Sequence, residues 1–323
     1  IGNMFNDNTA TELGGAVYIE NGNHIVSGNV FYANAADDFG GDIENEQGGA
    51  LIIRSGNIEF NNNVIANNRA YASGGAVSIS ATGNVSQNSF VYNRSNQTIR
   101  ITNNLAFHGN TIFANAAEIS TVLVPSQAAL IPTINNNNIF QNGFAYWIDN
   151  FNVQTMNVQS NWWGTNDVTE IEFNVSGELD YSNPLQDPLD DTPVSPPQVV
   201  GFRYSDDSAT LSWSANPEPD VVGYNVYWGR QPIPNLSEVL DVGSSTSVVL
   251  SNLASDQDYY FAVTAVDTSG IESDFSIEDT LVMFSVLGNP GSDDFIVPDL
   301  ISVNWVNATM YFIDSSVTVD LSS

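Results

Sequence analysis

Short runs of alternating apolar and polar residues recur through the first half of the chain. The runs at 16–19, 50–53 and 76–79 each follow a Gly-Gly pair. Alternation over so few residues predicts β-strands that bury one face. No segment shows the apolar spacing of an amphipathic helix, and the abundant Asn and Gly are poor helix formers. The pattern predicts an all-β protein.

A six-residue motif, Asn-x-(Phe/Ile/Trp)-x-x-Asn, repeats through the same region. Its seven copies start 26, 34, 25, 22, 27 and 24 residues apart, at Asn3, Asn29, Asn63, Asn88, Asn110, Asn137 and Asn161. A repeat of strands and turns with a period near 25 residues predicts one coil of a parallel β-helix per copy. Stacked coils at the usual strand spacing form a rod about 34 Å long.

Stacking of coils predicts two ladders of side chains, because each residue lies above its counterpart in the next coil. The last Asn of each copy is predicted to join an amide ladder at a turn, and the central residue an apolar ladder inside the coil. The Gly pair is predicted to form a tight corner with positive φ. The predicted amide ladder comprises Asn8, Asn34, Asn68, Asn93, Asn115, Asn142 and Asn166, and the apolar ladder Phe5, Phe31, Ile65, Phe90, Ile112, Ile139 and Trp163.

Residues 1–190 resemble the right-handed parallel β-helix proteins of the pectin-lyase-like superfamily. The paired Phe-x-x-Asn and Gly-Gly-Ala elements are similar to the repeats of polymorphic outer membrane proteins. The run at 161–165, followed by 175–184, is similar to the closing coil of many secreted β-helix proteins. The resemblance implies a fold but no single activity, since the superfamily contains lyases, hydrolases, adhesins and passive stalks.

The second half of the chain has a different composition. A Pro-rich linker at 191–197 is followed, over 198–276, by strand-like runs at the spacing of a β-sandwich. This segment resembles a fibronectin type III domain. The resemblance implies that Trp213 is the core tryptophan and that Leu253 and Tyr259 belong to a tyrosine corner.

Residues 277–323 form a short third segment with strand character in several places. A segment this short rarely holds a core alone. The run at 289–297 resembles the opening of C-terminal sorting modules on secreted Bacteroidetes proteins. A free apolar strand can also pair with an exposed sheet edge. The segment is therefore predicted to be an assembly or sorting element.

Charge excludes two classes of partner. The 323-residue chain carries 37 acidic and 6 basic residues, for a formal net charge of −31, and it contains no Lys and no Cys. Nucleic acids and anionic bilayer surfaces require clustered Lys or Arg. The sequence also has no apolar stretch long enough for a membrane span. We therefore expect no nucleic-acid binding and no membrane insertion, while the resemblance to secreted and surface β-helix proteins implies an extracellular or cell-surface location.

Acidic residues supply the best catalytic candidates. Asp37, Asp38 and Asp42 are close in sequence, and Arg54 follows one strand later. Adjacent carboxylates can bind Ca²⁺ or divide acid and base roles. These aspartates fall where each repeat places a turn, so a solvated turn is the simpler interpretation. His24 and His108 lack partners for a metal or catalytic role. We expect no enzyme activity and no cofactor, with Ca²⁺ left open.

Aromatic residues cluster near the end of the repeats. Tyr146 and Trp147, together with Trp162 and Trp163, are able to form a stacking platform for neutral sugars or to pack inside the last coils. Both interpretations stay open at this point.

These observations predict a secreted or surface structural protein, the subunit of a fibre, sheath or adhesive layer. Self-association is expected through β-strand contacts, either at residues 277–323 or at an open end of the β-helix. The alternatives are a polysaccharide-binding adhesin and a β-helix enzyme that degrades neutral polysaccharide.

Overall fold

The computed structural model describes residues 1–281, apart from 12, 37–47, 72, 129, 144–145, 206, 233–234, 255–257 and 277–278. The predicted strands beyond residue 281 lie outside the described residues. The described part is almost entirely β, with a parallel β-helix followed by a β-sandwich. The predicted fold class is confirmed for these two regions.

The β-helix is made of short strands and one short helix. In chain order these are β1 (Met4–Asn6), β2 (Thr9–Ala10), β3 (Val17–Ile19), β4 (Asn23–Ser27), β5 (Val30–Tyr32), β6 (Ala35–Ala36), β7 (Leu51–Ile53), β8 (Asn57–Asn61), β9 (Val64–Ala66), β10 (Arg69–Ala70), β11 (Ser73–Ile79), β12 (Thr82–Ser86), β13 (Ser89–Val91), β14 (Arg94–Ile101), β15 (Leu105–His108), β16 (Thr111–Phe113), β17 (Ala116–Val124), β18 (Thr133–Ile134), β19 (Asn138–Phe140), β20 (Tyr146–Asn150), β21 (Met156–Asn157), α1 (Val168–Phe173), β22 (Val175–Gly177) and β23 (Leu179–Asp180).

Three parallel sheets form the walls of the coil. The first sheet has the order β1-β5-β9-β13-β16-β19, and the third has the order β18-β15-β12-β8-β4. The second sheet contains β2, β6, β10, β14, β11, β7 and β3, with β17, β20 and β22 joined to β14 in succession. Neighbours in each sheet are one repeat apart in sequence, which is the arrangement of a β-helix.

The central motif residues point into the coil and stack in register. Phe5 pairs with Phe31, and the series continues to Ile139 at the other end of the first sheet. The rings of Phe5 and Phe31 are stacked, with centroids 4.9 Å apart. Trp163 is fully buried in the same core and lies one residue after the bridge between Asn138 and Trp162.

The Gly-Gly pairs serve two different purposes. Gly14 and Gly74, the first residues of their pairs, have φ of 65° and 66°, the left-handed region that glycine adopts at little cost. The second residue is needed for space: a Cβ on Gly49 would lie 2.0 Å from the carbonyl oxygen of Gly75. The second glycine therefore lets neighbouring coils approach at strand spacing, a role that the sequence pattern alone did not predict.

The helix α1 precedes the last strands of the β-helix, since β22 pairs with β20 and β23 pairs with β21. Asp167 caps this helix, since its carboxylate accepts a hydrogen bond from the backbone N–H of Thr169 (2.8 Å). Ile171 is the buried residue of α1 and packs into the β-helix core. The helix therefore covers the end of the apolar interior.

A strap formed by residues 185–195 then runs back along the first sheet. A second apolar column lies on the outer face of this sheet, and Leu185 packs against it; the column comprises Ala66, Val91, Phe113, Phe140 and Trp162. The Asn138 side chain accepts from the Leu189 N–H (2.9 Å) and donates to Thr192 Oγ1 (2.7 Å). Thr111 Oγ1 donates to the Pro193 carbonyl. The Pro-rich segment thus packs against the β-helix instead of spanning solvent.

The second region is an antiparallel sandwich. Its strands are β24 (Val199–Ser205), β25 (Ser208–Trp213), β26 (Val221–Gly229), β27 (Glu238–Asp241), β28 (Ser247–Ser251), β29 (Tyr259–Asp267) and β30 (Asp279–Leu281). One sheet has the order β24-β25-β28 and the other the order β27-β26-β29-β30.

The sandwich core is built around aromatic residues. Trp213 and Tyr224 are buried, with ring centroids 5.5 Å apart in an edge arrangement. Tyr259, Phe261 and Val263 alternate along β29 and all contribute to the core. The Tyr259 hydroxyl accepts a hydrogen bond from the backbone N–H of Ala254 (3.2 Å), so the side chain ties the strand to the preceding corner.

Candidate functional site

Two continuous amide ladders run along the β-helix turns. In the first ladder the Nδ2 of each Asn donates to the Oδ1 of its counterpart one coil on, over Asn8, Asn34, Asn68, Asn93, Asn115 and Asn142. The second ladder has the same bonding over Asn3, Asn29, Asn63, Asn88, Asn110, Asn137 and Asn161. Each acceptor Oδ1 also receives a backbone N–H, as from Asn68 to Asn93.

Asn166 does not continue the first ladder. Its side chain is exposed and donates to Gln186 Oε1 (3.0 Å). Asn142 instead ends the series with a hydrogen bond to the Ile112 carbonyl (2.9 Å). The physical reason is that the chain turns into α1 immediately after Asn166, with Asp167 as the N-cap, so Asn166 does not lie beside Asn142 in the ladder.

No catalytic arrangement can be assembled from the candidate residues that the structure describes. Asp37, Asp38 and Asp42 lie outside the described residues. Within the described part of the chain, no group of three or more His, Asp or Glu side chains is placed to hold a metal ion. His24 is partly buried, and its Nε2 lies 3.0 Å from the Asn21 carbonyl oxygen. His108 is a partly buried strand residue that pairs with Ser86.

A cavity of about 700 Å³ opens between the last coil, α1 and a loop of the sandwich. We call it the aromatic pocket. It is lined by Phe140, Gln141, Trp147, Trp162, Trp163, Gly164, Thr165, Asp167, Thr169, Glu170, Phe173, Asn174 and Pro217. The lining combines five aromatic rings with two carboxylates, and none of these residues is cationic.

Tyr146 and Trp147, two of the aromatic residues proposed for sugar stacking, differ in position. Trp147 lines the aromatic pocket, and its indole N–H donates to the Asn142 carbonyl (3.0 Å). Tyr146 is 44% exposed and pairs with Ser120 on the second sheet, outside the pocket lining. The structure thus brings Trp147, Trp162 and Trp163 together in one pocket lining. The stacking-platform interpretation of the sequence requires this proximity.

The rim of the aromatic pocket includes residues that the sequence analysis did not single out. Phe173 is 81% exposed at the end of α1, and Pro217 belongs to the loop between β25 and β26. Trp163 is fully buried, and its indole N–H has no acceptor in the described structure. Phe173 and Pro217 stand 44 residues apart in sequence, so only the fold reveals that they share a site.

A second exposed feature is the edge of the sandwich. The strands β27 and β28 each have one neighbour in the described sheets. All of β27 is exposed, including Val239 at 56%, and Val249 on β28 is 60% exposed. The backbone and apolar side chains of these strands are therefore accessible. We call β27 and β28 the sandwich edge.

Burial raises the pKa of three carboxyl groups in the sandwich. Burial raises the pKa of Glu218, although hydrogen bonds from Ser195 and Asn216 oppose the change. Burial also raises the pKa of Asp220 and brings that of Asp274 to about 6. Each case follows from the cost of removing a negative charge from water.

The comparisons with known proteins address the second region. Residues 195–278 match the family described as fibronectin type III domain. No curated protein matches the chain. Within the described part of the structure, no helix is long and apolar enough to cross a membrane.

Solved structures match the same region. The structure titled "Fn3-like protein from Clostridium thermocellum" is 25% identical, and the match covers 28% of this chain and 94% of that one with a TM-score of 0.25. The structure titled "Myokine structure" is 21% identical over 28% of this chain and 98% of that one, with a TM-score of 0.24. The FN1–FN3 domains of chicken CNTN1 are 18% identical over 34% and 35% of the two chains, with a TM-score of 0.26.

Fold and family match together define the architecture. The chain contains a parallel β-helix followed by a fibronectin type III domain. This combination is typical of a surface or structural protein.

Proposed function

We propose that the protein is a structural subunit of an extracellular fibre, sheath or adhesive layer, and that subunits join through β-strand contacts. The observation that carries this proposal is the sandwich edge, whose strands β27 and β28 expose apolar side chains along an edge that no strand of the described residues pairs with. Natural proteins protect such edges with Lys, Pro or bulges, because an open edge accepts a further strand. This chain has no Lys at all.

A segment suited to the edge exists in the same chain. Residues 300–313 form an uncharged run rich in apolar and β-branched residues, within the assembly segment predicted from sequence. Glu238 and Asp241 flank the apolar pair of β27. An uncharged strand avoids repulsion from these acids, whereas an acidic strand does not. Residues 300–313 of a neighbouring subunit are therefore the proposed occupant of the edge.

Electron microscopy of negatively stained protein, paired with light scattering of the full chain, tests this function. We expect filaments or large assemblies, and we expect Val239→Lys combined with Val249→Lys to reduce them, because charge on an edge opposes strand addition. Ile271→Lys is the matched control, since Ile271 is 62% exposed but lies outside β27 and β28. A monodisperse species near 34.9 kDa would contradict the proposal.

We further infer that the protein is not an enzyme. The proposal rests on the sequence position of Asp37, Asp38 and Asp42 in a predicted turn and on the missing base and nucleophile partners of His24 and His108. Incubation with neutral polysaccharides, followed by a reducing-end assay, tests it. Turnover that disappears when the three aspartates are replaced by Asn would overturn the inference and favour the hydrolase alternative.

A further inference from the structure

We propose that the aromatic pocket binds a neutral oligosaccharide and that the fibronectin type III domain completes the site. This activity is separate from assembly, because the pocket and the sandwich edge share no residue.

The size and lining of the pocket suit a small organic ligand. Binding sites for such ligands usually measure roughly 300–1,000 Å³ and combine apolar walls with a few polar groups, and the aromatic pocket has about 700 Å³. Phe140 and Trp162 are packed against each other, with ring centroids 4.8 Å apart. These rings form a fixed wall, so little side-chain entropy is lost when a ligand binds.

Phe173 is an aromatic ring that packing does not account for. The buried residue of α1 is Ile171, which packs into the core, whereas Phe173 on the same helix is 81% exposed. Burying an aromatic ring against a ligand is favourable by hydrophobic area and by stacking. The C–H face of a sugar ring offers both, so Phe173 is suited to cover one side of a bound sugar.

The polar groups of the pocket select hydroxyl donors. Asp167 and Glu170 provide carboxylate oxygens, and Gln141 and Asn174 provide amides. Hydrogen bonds from hydroxyl groups to carboxylates are stronger than neutral ones. Because no lining residue is cationic, uronate, sulfate and phosphate ligands find no charge partner in the pocket and are repelled by Asp167 and Glu170.

Pro217 reaches the pocket because the strap fixes its loop. Asn216 Nδ2 donates to the Ser195 carbonyl (2.6 Å), and the Ser195 N–H donates to Glu218 Oε1 (2.8 Å). The strap is itself bound to the β-helix through Asn138. A continuous set of hydrogen bonds therefore holds the residues on both sides of Pro217. The site needs both domains, and its geometry depends on this connection.

An aromatic pocket with carboxylates is also suited to an organic cation. The large volume and the six uncharged or acidic hydrogen-bonding side chains favour a ligand with many hydroxyl groups instead. Choline and an anionic sugar therefore serve as the rival probes in the experiment.

Isothermal titration calorimetry of the full chain tests the site. The probes are the hexasaccharides of β-1,4-glucan, β-1,3-glucan and mannan, with trigalacturonate and choline as rivals. We expect saturable binding of at least one neutral hexasaccharide and about tenfold weaker binding for Phe173→Ala. Phe151→Ala is the matched control, because Phe151 is 54% exposed but does not line the pocket, and it should leave the affinity unchanged.

A second pair of variants tests the contribution of the sandwich. Pro217→Gly and Asn216→Ala should each weaken binding by about threefold or more, while circular dichroism shows that the fold is retained. Unchanged affinity in both would overturn the composite site. The glycan site itself is overturned if no neutral probe binds, if choline or trigalacturonate binds instead, or if Phe173→Ala and Phe151→Ala behave alike.

Discussion

The two regions of the molecule bury polar groups in opposite ways. The β-helix buries neutral amides, each hydrogen-bonded to the amides of the coils beside it, as for Asn93 between Asn68 and Asn115. The fibronectin type III domain contains a buried carboxylate, Glu218, and a partly buried one, Asp274, and burial raises the pKa of both. Sequence composition follows the same division, with 32 Asn in residues 1–170 and 9 in residues 171–323.

This difference teaches how each region responds to change. An amide ladder carries no charge, so its stability should vary little with pH but depend on every member being present. A buried carboxylate makes folding pH-dependent. Asp149 is an exception within the β-helix, because burial raises its pKa as well.

The largest loss in the free energy of unfolding is expected from Asn93→Leu. Asn93 is fully buried, accepts from the backbone N–H and Nδ2 of Asn68 at 3.0 Å each, and donates to the Ile65 carbonyl at 2.7 Å. The substitution leaves these groups unpaired, and each unpaired buried group costs about 1–3 kcal/mol. We expect a loss of about 4 kcal/mol in chemical denaturation followed by circular dichroism.

Asn166→Leu is the matched control for the ladder. Asn166 is the last Asn of its motif copy, as Asn93 is of its own, but its side chain is exposed and donates one hydrogen bond, to Gln186. A loss below about 1 kcal/mol is expected. Equal losses for the two variants would show that the ladder bonds do not determine stability.

A somewhat smaller effect is expected from Gly49→Ala. The added Cβ would lie 2.0 Å from the Gly75 carbonyl oxygen, which belongs to the neighbouring coil and cannot move alone. Overpacking of this kind costs about 3 kcal/mol. Gly143→Ala is the control, because its Cβ would meet its nearest neighbour at 3.3 Å. Thermal unfolding should show a clearly lower midpoint for Gly49→Ala, and similar midpoints would disprove the close-approach role.

The repeats allowed the fold to be predicted because their period is visible in sequence. The same spacing predicts the first ladder, which is formed by the last Asn of each motif copy. It would also have predicted the second ladder, because the first Asn of each copy, such as Asn88 or Asn110, recurs at the same spacing. The departure of Asn166 was not predictable from the motif, because it depends on the chain turning into α1. Local pattern identifies stacked positions, whereas the end of stacking depends on the tertiary structure.

The aromatic pocket could be predicted only in part. Trp147 and Trp162 are close in sequence and stood out as an aromatic cluster. Phe173 and Pro217 join them through the packing of α1 and the strap. The sequence predicts a Pro-rich linker at 191–197, a segment that overlaps the end of the strap. Its docking depends on the outer apolar column, whose burial becomes evident only when the coils are stacked.

A more local effect is expected in the sandwich from Tyr259→Phe. The hydroxyl of this residue accepts the Ala254 N–H at 3.2 Å, and its ring is buried in the core. Removing the hydroxyl leaves one backbone donor without its partner, at a cost of about 1.5 kcal/mol. Denaturation of the full chain should show this loss in the sandwich transition. Tyr260→Phe, at the next position on β29, is the control, and an equal loss there would contradict the corner assignment.

The smallest effect, and the most direct test of the contrast, concerns Asp274. Burial raises its pKa from 3.8 to about 6; Oδ1 accepts the Phe275 N–H at 2.8 Å, and Oδ2 has no partner in the described structure. The native state therefore binds more protons than the unfolded state between these pH values. This contribution to stability is present below pH 3.8 and is lost as the pH rises through about 6.

Asp274→Asn keeps the acceptor and removes the charge. The variant should be more stable than the wild type at pH 7, where the partly buried carboxylate is ionised, and this advantage should largely disappear at pH 4, where the native carboxyl group is protonated. The difference between the two proteins across pH isolates this group from Glu218, Asp220 and the general charge repulsion, since those are common to both. If the difference in unfolding midpoint between the two proteins did not change with pH, Asp274 would be solvated. The contrast between the uncharged β-helix ladders and the carboxyl groups of the sandwich would then depend on Glu218 and Asp220 alone.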